Sequence, residues 1–127
     1  MDNRLVYVVD DDPDMLRSAA FLLQSMGYRF ECFPDGADFL AALPRLQPGC
    51  VLTDLRMPRV DGFDLRSKLA EQSIGWPVIL MTSDCGPGIA EEAQSRGFAA
   101  FLAKPFSADQ VAAALDSGFK ILESGEK

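Results

Sequence analysis

Apolar residues fall in short runs along the chain, and the spacing within each run decides what it can form. "RLVYVV", residues 4–9, reads as a strand rich in Val and Tyr. "DDDPD" follows, with Asp12 placed to cap a helix whose first residue is Pro13. Leu16, Ala19, Ala20, Leu23 and Met26 then recur at the helical period until Gly27 stops it. "YRFECF", residues 28–33, alternates as a strand, and Pro34-Asp35-Gly36 turns the chain. A short helix carrying Phe39, Leu40 and Leu43 is expected to end before Pro44, and "GCVLTD" is the third strand. Asp61 can cap a helix reaching about Gln72, with Phe63, Leu65 and Leu69 apolar. "PVILMT", residues 77–82, is continuously apolar, as strands covered on both faces are. A helix around 88–96 closes at Gly97, and "AAFLAK" is the fifth strand. Ser107 and Gln110 form a capping-box pattern before a last helix bearing Val111, Ala114, Leu115 and Leu122.

Five strands alternating with five helices predict an α/β domain with a parallel sheet covered on both faces and right-handed crossovers. There are no internal repeats or linkers, so one domain is expected over residues 1–122, with a polar tail at 123–127. The 127 residues suffice for one sizeable core. The net charge of −7 and the lack of a basic cluster argue against nucleic-acid binding by this domain. No apolar run is long enough to span a membrane, and the acidic start is not that of a signal peptide. Cys32, Cys50 and Cys85 are odd in number and widely spaced, which fits a reducing cytoplasm. With no histidine, the chain has no histidine phosphodonor of its own and no His-assisted nucleophile.

The informative polar residues stand where apolar runs end. Strand 1 ends in Asp10-Asp11, strand 3 in Asp54, strand 4 in Thr82-Ser83-Asp84 and strand 5 in Lys104-Pro105. In an open α/β sheet ligands bind beyond the carboxyl ends of the strands. Taken singly, each Asp reads as a turn former or helix cap and Lys104 as a solvated charge. Taken together, crowded carboxylates repel one another and a bound cation relieves that cost. Asp10, Asp11 and Asp54 therefore read as a Mg²⁺ site, with Asp54 also a candidate nucleophile.

With "VVDDD", "LTDLRMPRVDG", "LMTS" and "FLAKPF" in this order and spacing, residues 4 to about 120 resemble the receiver domains of bacterial two-component response regulators. "TDLRMP" and "KPF" look most like the FixJ-type transcriptional regulators. The resemblance implies a flavodoxin-like doubly wound fold, strand order 2-1-3-4-5. It implies a signalling switch rather than an enzyme with a substrate of its own. Asp54 would be the phosphoacceptor. Asp10 and Asp11 would be the acidic Mg²⁺ pair, Asp11 the direct ligand, with the backbone carbonyl of Arg56 a further ligand. Thr82 and Lys104 would contact the phosphoryl group, Phe101 would be the switch aromatic, and the Lys104-Pro105 bond would be cis. A sensor histidine kinase, a phosphotransfer protein or a small phosphodonor would supply the phosphoryl group, and a homodimer could form on phosphorylation.

Two features depart from that pattern. "CGPG", residues 85–88, puts two glycines and a proline where the fourth helix should begin, so the helix is expected to start late or be mobile. The resemblance places the family's dimer surface on this fourth helix and the fifth strand. No DNA-binding segment follows, as it does in the FixJ type, leaving a stand-alone receiver or an excised domain. Trp76, Cys85 and the Glu91-Glu92 pair read as packing, an inert thiol and a solvated helix face. Arg56 and Asp84, each two residues beyond a site residue, are expected at the mouth of the site as modulators of phosphoryl lifetime. Two other functions stay open: a small aspartyl-phosphate phosphatase or phosphotransferase, which would turn over a phosphate ester, and a binding module that is never phosphorylated.

Overall fold

The computed structural model describes residues 4–84 and 86–124. Its elements are β1 (Leu5–Val9), α1 (Pro13–Ser25), β2 (Arg29–Phe33), α2 (Gly36–Ala42), β3 (Cys50–Asp54), α3 (Gly62–Glu71), β4 (Val78–Thr82), α4 (Ile89–Ser95), β5 (Ala100–Ala103) and α5 (Ala108–Ser124). The strands form one parallel sheet in the order β2-β1-β3-β4-β5, the flavodoxin-like arrangement expected. β1 leads to β2 on one side and neighbours β3 on the other, so the order reverses there. That is the switch point of the sheet.

Alternation in β1 sorts the core into two layers. Val6 and Val8 pack with Leu23 of α1 and Leu115 and Phe119 of α5. Tyr7 and Val9 pack on the opposite face with Phe39 of α2 and Leu65 and Leu69 of α3. Phe39 and Phe119 are buried, and burying a ring of that size contributes about 2–3 kcal/mol each. Trp76 is a packing residue, stacked on Tyr7 with ring centroids 5.7 Å apart.

The helix starts follow their caps. Asp12 accepts from the Asp14 N–H ahead of Pro13, and Asp61 and Asp64 cap each other's backbone. Ser107 and Gln110 do the same at 3.1 and 2.8 Å. Asp35, read as a turn residue, also caps α2 through the Asp38 N–H at 2.8 Å. The chain does not leave helical geometry before Pro44. A 3₁₀ turn, Leu43–Arg45, takes Pro44 in its first positions, where a missing N–H leaves no acceptor unpaired. α4 begins only at Ile89, after Gly88 turns into the left-handed region at φ +88°. α5 runs to Ser124, so Glu123 and Ser124 of the segment read as tail are helical. The readings of Cys85 and of residues 125–127 lie outside the described residues. Among the described residues no helix is long and apolar enough to cross a membrane.

Cys50 lies wholly buried under α5, close enough that a Cβ on Gly118 would stand 2.7 Å from its Sγ. Burial pushes its thiol up from 9.0 to about 12. The unfolded chain therefore loses that proton first as the pH rises. Stability should fall by about 1.4 kcal/mol per pH unit from pH 9 upward, until the folded thiol also titrates. Urea unfolding between pH 8 and 11 checks this, and Cys50→Ala should flatten the slope. Buried Tyr7, also raised by desolvation, adds a further loss above pH 10.

Candidate functional site

Asp10 continues β1 by one residue, its N–H donating to the Phe33 carbonyl at 3.2 Å. It is fully buried. One carboxylate oxygen accepts the Asp12 N–H at 3.0 Å, which turns the chain into α1. The other accepts Lys104 Nζ at 3.0 Å. Asp54 is the last residue of β3, and the same ammonium donates to its Oδ1 at 3.1 Å. Lys104 reaches both because it follows β5 directly, its N–H held by the Thr82 carbonyl at 2.9 Å. The Lys104-Pro105 peptide is cis. Asp11 is exposed beside them, and oxygens of Asp10, Asp11 and Asp54 lie within 4.8 Å of one another.

The electrostatics follow from burial. Asp54 titrates above the ordinary carboxylate range, first because it is desolvated and then because Asp10 is near; Lys104 and the Leu55 N–H oppose this. For Lys104, burial pulls downward, but the bonds and charges of Asp10 and Asp54 outweigh it and the net shift is upward. The lysine is thus held protonated between two carboxylates. Three hard oxygen donors at this spacing suit Mg²⁺. Both Asp10 oxygens are already bonded, whereas Asp11 makes no side-chain hydrogen bond among the described residues.

Thr82 ends β4, buried, and its hydroxyl oxygen accepts the Asp84 N–H at 3.0 Å. Phe101 lies half-buried in β5 against the α3 layer. At the rim, Arg56 Nε and Nη2 donate to Asp84 Oδ2 at 3.1 and 2.5 Å. Arg56 holds the Asp84 carboxyl below its ordinary range, helped by the Gly86 N–H. A cleft of about 380 Å³, lined by Met15, Leu22 and Phe106, opens beside Lys104. Every residue singled out at a strand end therefore sits at one edge of the sheet. Residue order alone carries no signal of the tie between Arg59 and Asp35.

A family model described as the response regulator receiver domain matches residues 6–116. The chain is 39% identical over 122 residues to the transcriptional regulatory protein FixJ of Bradyrhizobium diazoefficiens, covering 96% of this chain and 60% of that protein. It is 36% identical to the tetrathionate response regulatory protein TtrR of Salmonella typhimurium, over 91% of this chain and 56% of that one. The crystal structure titled FixJ-N superposes with a TM-score of 0.87 at 31% identity, covering 94% of this chain and 96% of that chain. This chain thus spans less than two thirds of those two curated relatives.

Proposed function

The chain belongs to the response regulator receiver domain family, and from that premise we propose that it is a switch phosphorylated on Asp54 by a sensor histidine kinase or a phosphotransfer protein. The observation that carries this is the Lys104 ammonium bridging the Asp10 and Asp54 carboxylates at 3.0 and 3.1 Å. It sits where phosphoryl oxygens would gather.

Phosphoryl transfer asks the protein mainly for position and charge compensation. The Asp54 carboxylate oxygen attacks phosphorus, and the bond to the donor's imidazole nitrogen breaks as the acyl phosphate forms. Lys104 stays protonated and donates to a phosphoryl oxygen. The Thr82 hydroxyl donates to another, which draws it inward. Phe101 turns toward the space this leaves, a local charge event that biases a packing element. Asp10, Asp11, Asp54 and the Arg56 carbonyl would hold Mg²⁺, which when bound neutralises charge developing on the phosphoryl oxygens. Water later hydrolyses the acyl phosphate. The cleft beside Lys104 gives a protein donor an apolar surface to approach. A cytoplasmic setting, and a homodimer as the phosphorylated form, belong to the same reading; membrane and nucleic acid have no part in it.

Incubation with acetyl phosphate and Mg²⁺, followed by intact mass, should show one phosphoryl group gained. No gain with either acetyl phosphate or a phosphorylated kinase domain would leave the chain a binding module on a receiver fold.

The Arg56–Asp84 pair spans the rim of the site and lengthens the phosphorylated state by hindering the attacking water. Arg56→Ala and Asp84→Ala should each speed dephosphorylation several-fold. The double variant should fall short of the product of the two, because both remove one contact. Decay of all four phosphorylated forms measures this, and independent multiplicative effects would remove the pair from that role.

A further inference from the structure

Arg59 lies in the left-handed region at φ +68°, a conformation that costs a residue bearing a Cβ about 1–2 kcal/mol. Its Nη2 donates to Asp35 Oδ2 at 2.9 Å. That carboxylate is oriented before Arg59 meets it, because its other oxygen caps α2 through the Asp38 N–H. The Asp35 side chain is only 20% exposed. An ion pair with one partner already fixed gives up less side-chain freedom than two mobile surface groups do. The next residue closes on the same helix start: a Cβ on Gly36 would stand 2.9 Å from Val60 Cγ1. Elsewhere the loop from Leu55 to Asp61 is held by the buried Leu55 and Met57, and by the Gly62 N–H on the Leu55 carbonyl at 2.9 Å. Arg56 lies between the two buried side chains. In the outer bend Pro58 and Arg59 are exposed, whereas Val60 packs against both the core and the start of α2.

We infer that Arg59 is a positioning residue for the metal site: through Asp35 it ties the β3–α3 loop to the start of α2 and so presets the loop bearing the Arg56 carbonyl. The inference rests on the proposed function and assigns the loop's geometry to two residues 24 positions apart. A loop fixed in advance binds the ion without first being ordered, so the effect belongs in Mg²⁺ affinity.

The test uses the whole chain with Arg59→Ala, Arg59→Lys, Asp35→Ser and the Arg59→Ala/Asp35→Ser double variant. Asp35→Ser keeps a capping oxygen for α2 while deleting the ion pair. Arg59→Gly suits the left-handed backbone and stands in should Arg59→Ala fail to fold. By calorimetry, Arg59→Ala and Asp35→Ser should each weaken Mg²⁺ binding several-fold, the double variant no more than the weaker single, and Arg59→Lys should retain most of the affinity. Without metal, amide exchange over residues 55–61 should accelerate in both single variants. Phosphorylation by acetyl phosphate should slow at low Mg²⁺ and recover at saturating Mg²⁺, a change in apparent KM for the ion and not in kcat. Parent-like affinity and exchange in Arg59→Ala and Asp35→Ser, with the parent itself binding Mg²⁺ and gaining its phosphoryl group, would overturn this inference alone. A rate that saturating Mg²⁺ does not restore would also overturn it. A parent that binds no Mg²⁺ would overturn the reading of the metal site and this inference together.

Discussion

Asp54→Asn should abolish the gain of a phosphoryl group from acetyl phosphate and Mg²⁺ while leaving the protein folded. An amide oxygen cannot form the acyl phosphate, and Asp54 is the one carboxylate that Lys104 holds at the end of β3. The expected loss is therefore to background, not a partial slowing. Stability should not fall. Asn keeps the shape of the side chain and an oxygen for Lys104 Nζ, and it removes one of two negative charges that share a single ammonium. Thermal unfolding in chelator should place the variant at or above the parent. Intact mass after labelling gives the chemical answer, and fragment mapping locates any residue that is modified. A phosphoryl group found on Asp10 or Asp11 in the parent would move the acceptor elsewhere. A variant that still gained its group would remove Asp54 from the reaction.

Lys104→Ala carries the second large effect, and it reads on stability as well as chemistry. Among the described residues no other cation pairs with Asp10 or Asp54. Removing the ammonium leaves a fully buried carboxylate and a second one, 11% exposed, with no counter-charge. Breaking a buried pair from one side costs about 3–5 kcal/mol. The Lys104 side chain is 19% exposed, so water can enter and the cost should be nearer about 2 kcal/mol. Mg²⁺ should restore part of it by binding the folded state. Adding Asp54→Asn should restore part by a separate route, since only one buried charge then remains. Phosphorylation should slow by about tenfold or more, the counterpart of about 1.4 kcal/mol in the barrier. Urea unfolding of parent, single and double variants in chelator and in Mg²⁺ measures the first effect, and single-turnover labelling the second. Parent-like stability together with parent-like labelling would reduce Lys104 to a surface charge.

Much of this molecule was legible in residue order, because the signals that fix its elements are local. The helical period of Leu16, Ala19 and Leu23, and the Asp12-Pro13 start, needed no knowledge of the rest of the chain. The same holds for Asp54, Thr82 and Lys104. Each closes an apolar run, and parallel strands place all such ends at one edge of the sheet. Where local signals competed, the boundary moved. Pro44 was accepted into the first positions of a 3₁₀ turn, and α5 kept its hydrogen bonds to Ser124 despite a polar end.

Partnerships across the fold were not legible, for a different reason. The bond from Lys104 to Asp10 spans 94 residues. It exists because β1 and β3 are neighbours and the chain after β5 carries the ammonium over their ends. Residue types alone offered Lys104 several acids, and geometry chose Asp10 and Asp54. Arg59 is plainer still. Its bond to Asp35 depends on the start of α2 lying beside the β3–α3 loop, and Arg59 stands at no strand end that would have marked it. Period, caps and strand ends are properties of neighbours along the chain, so the sequence determined the elements and which edge bears the chemistry. Which side chains meet there depends on strand order and loop dihedrals, which only the packed sheet decides.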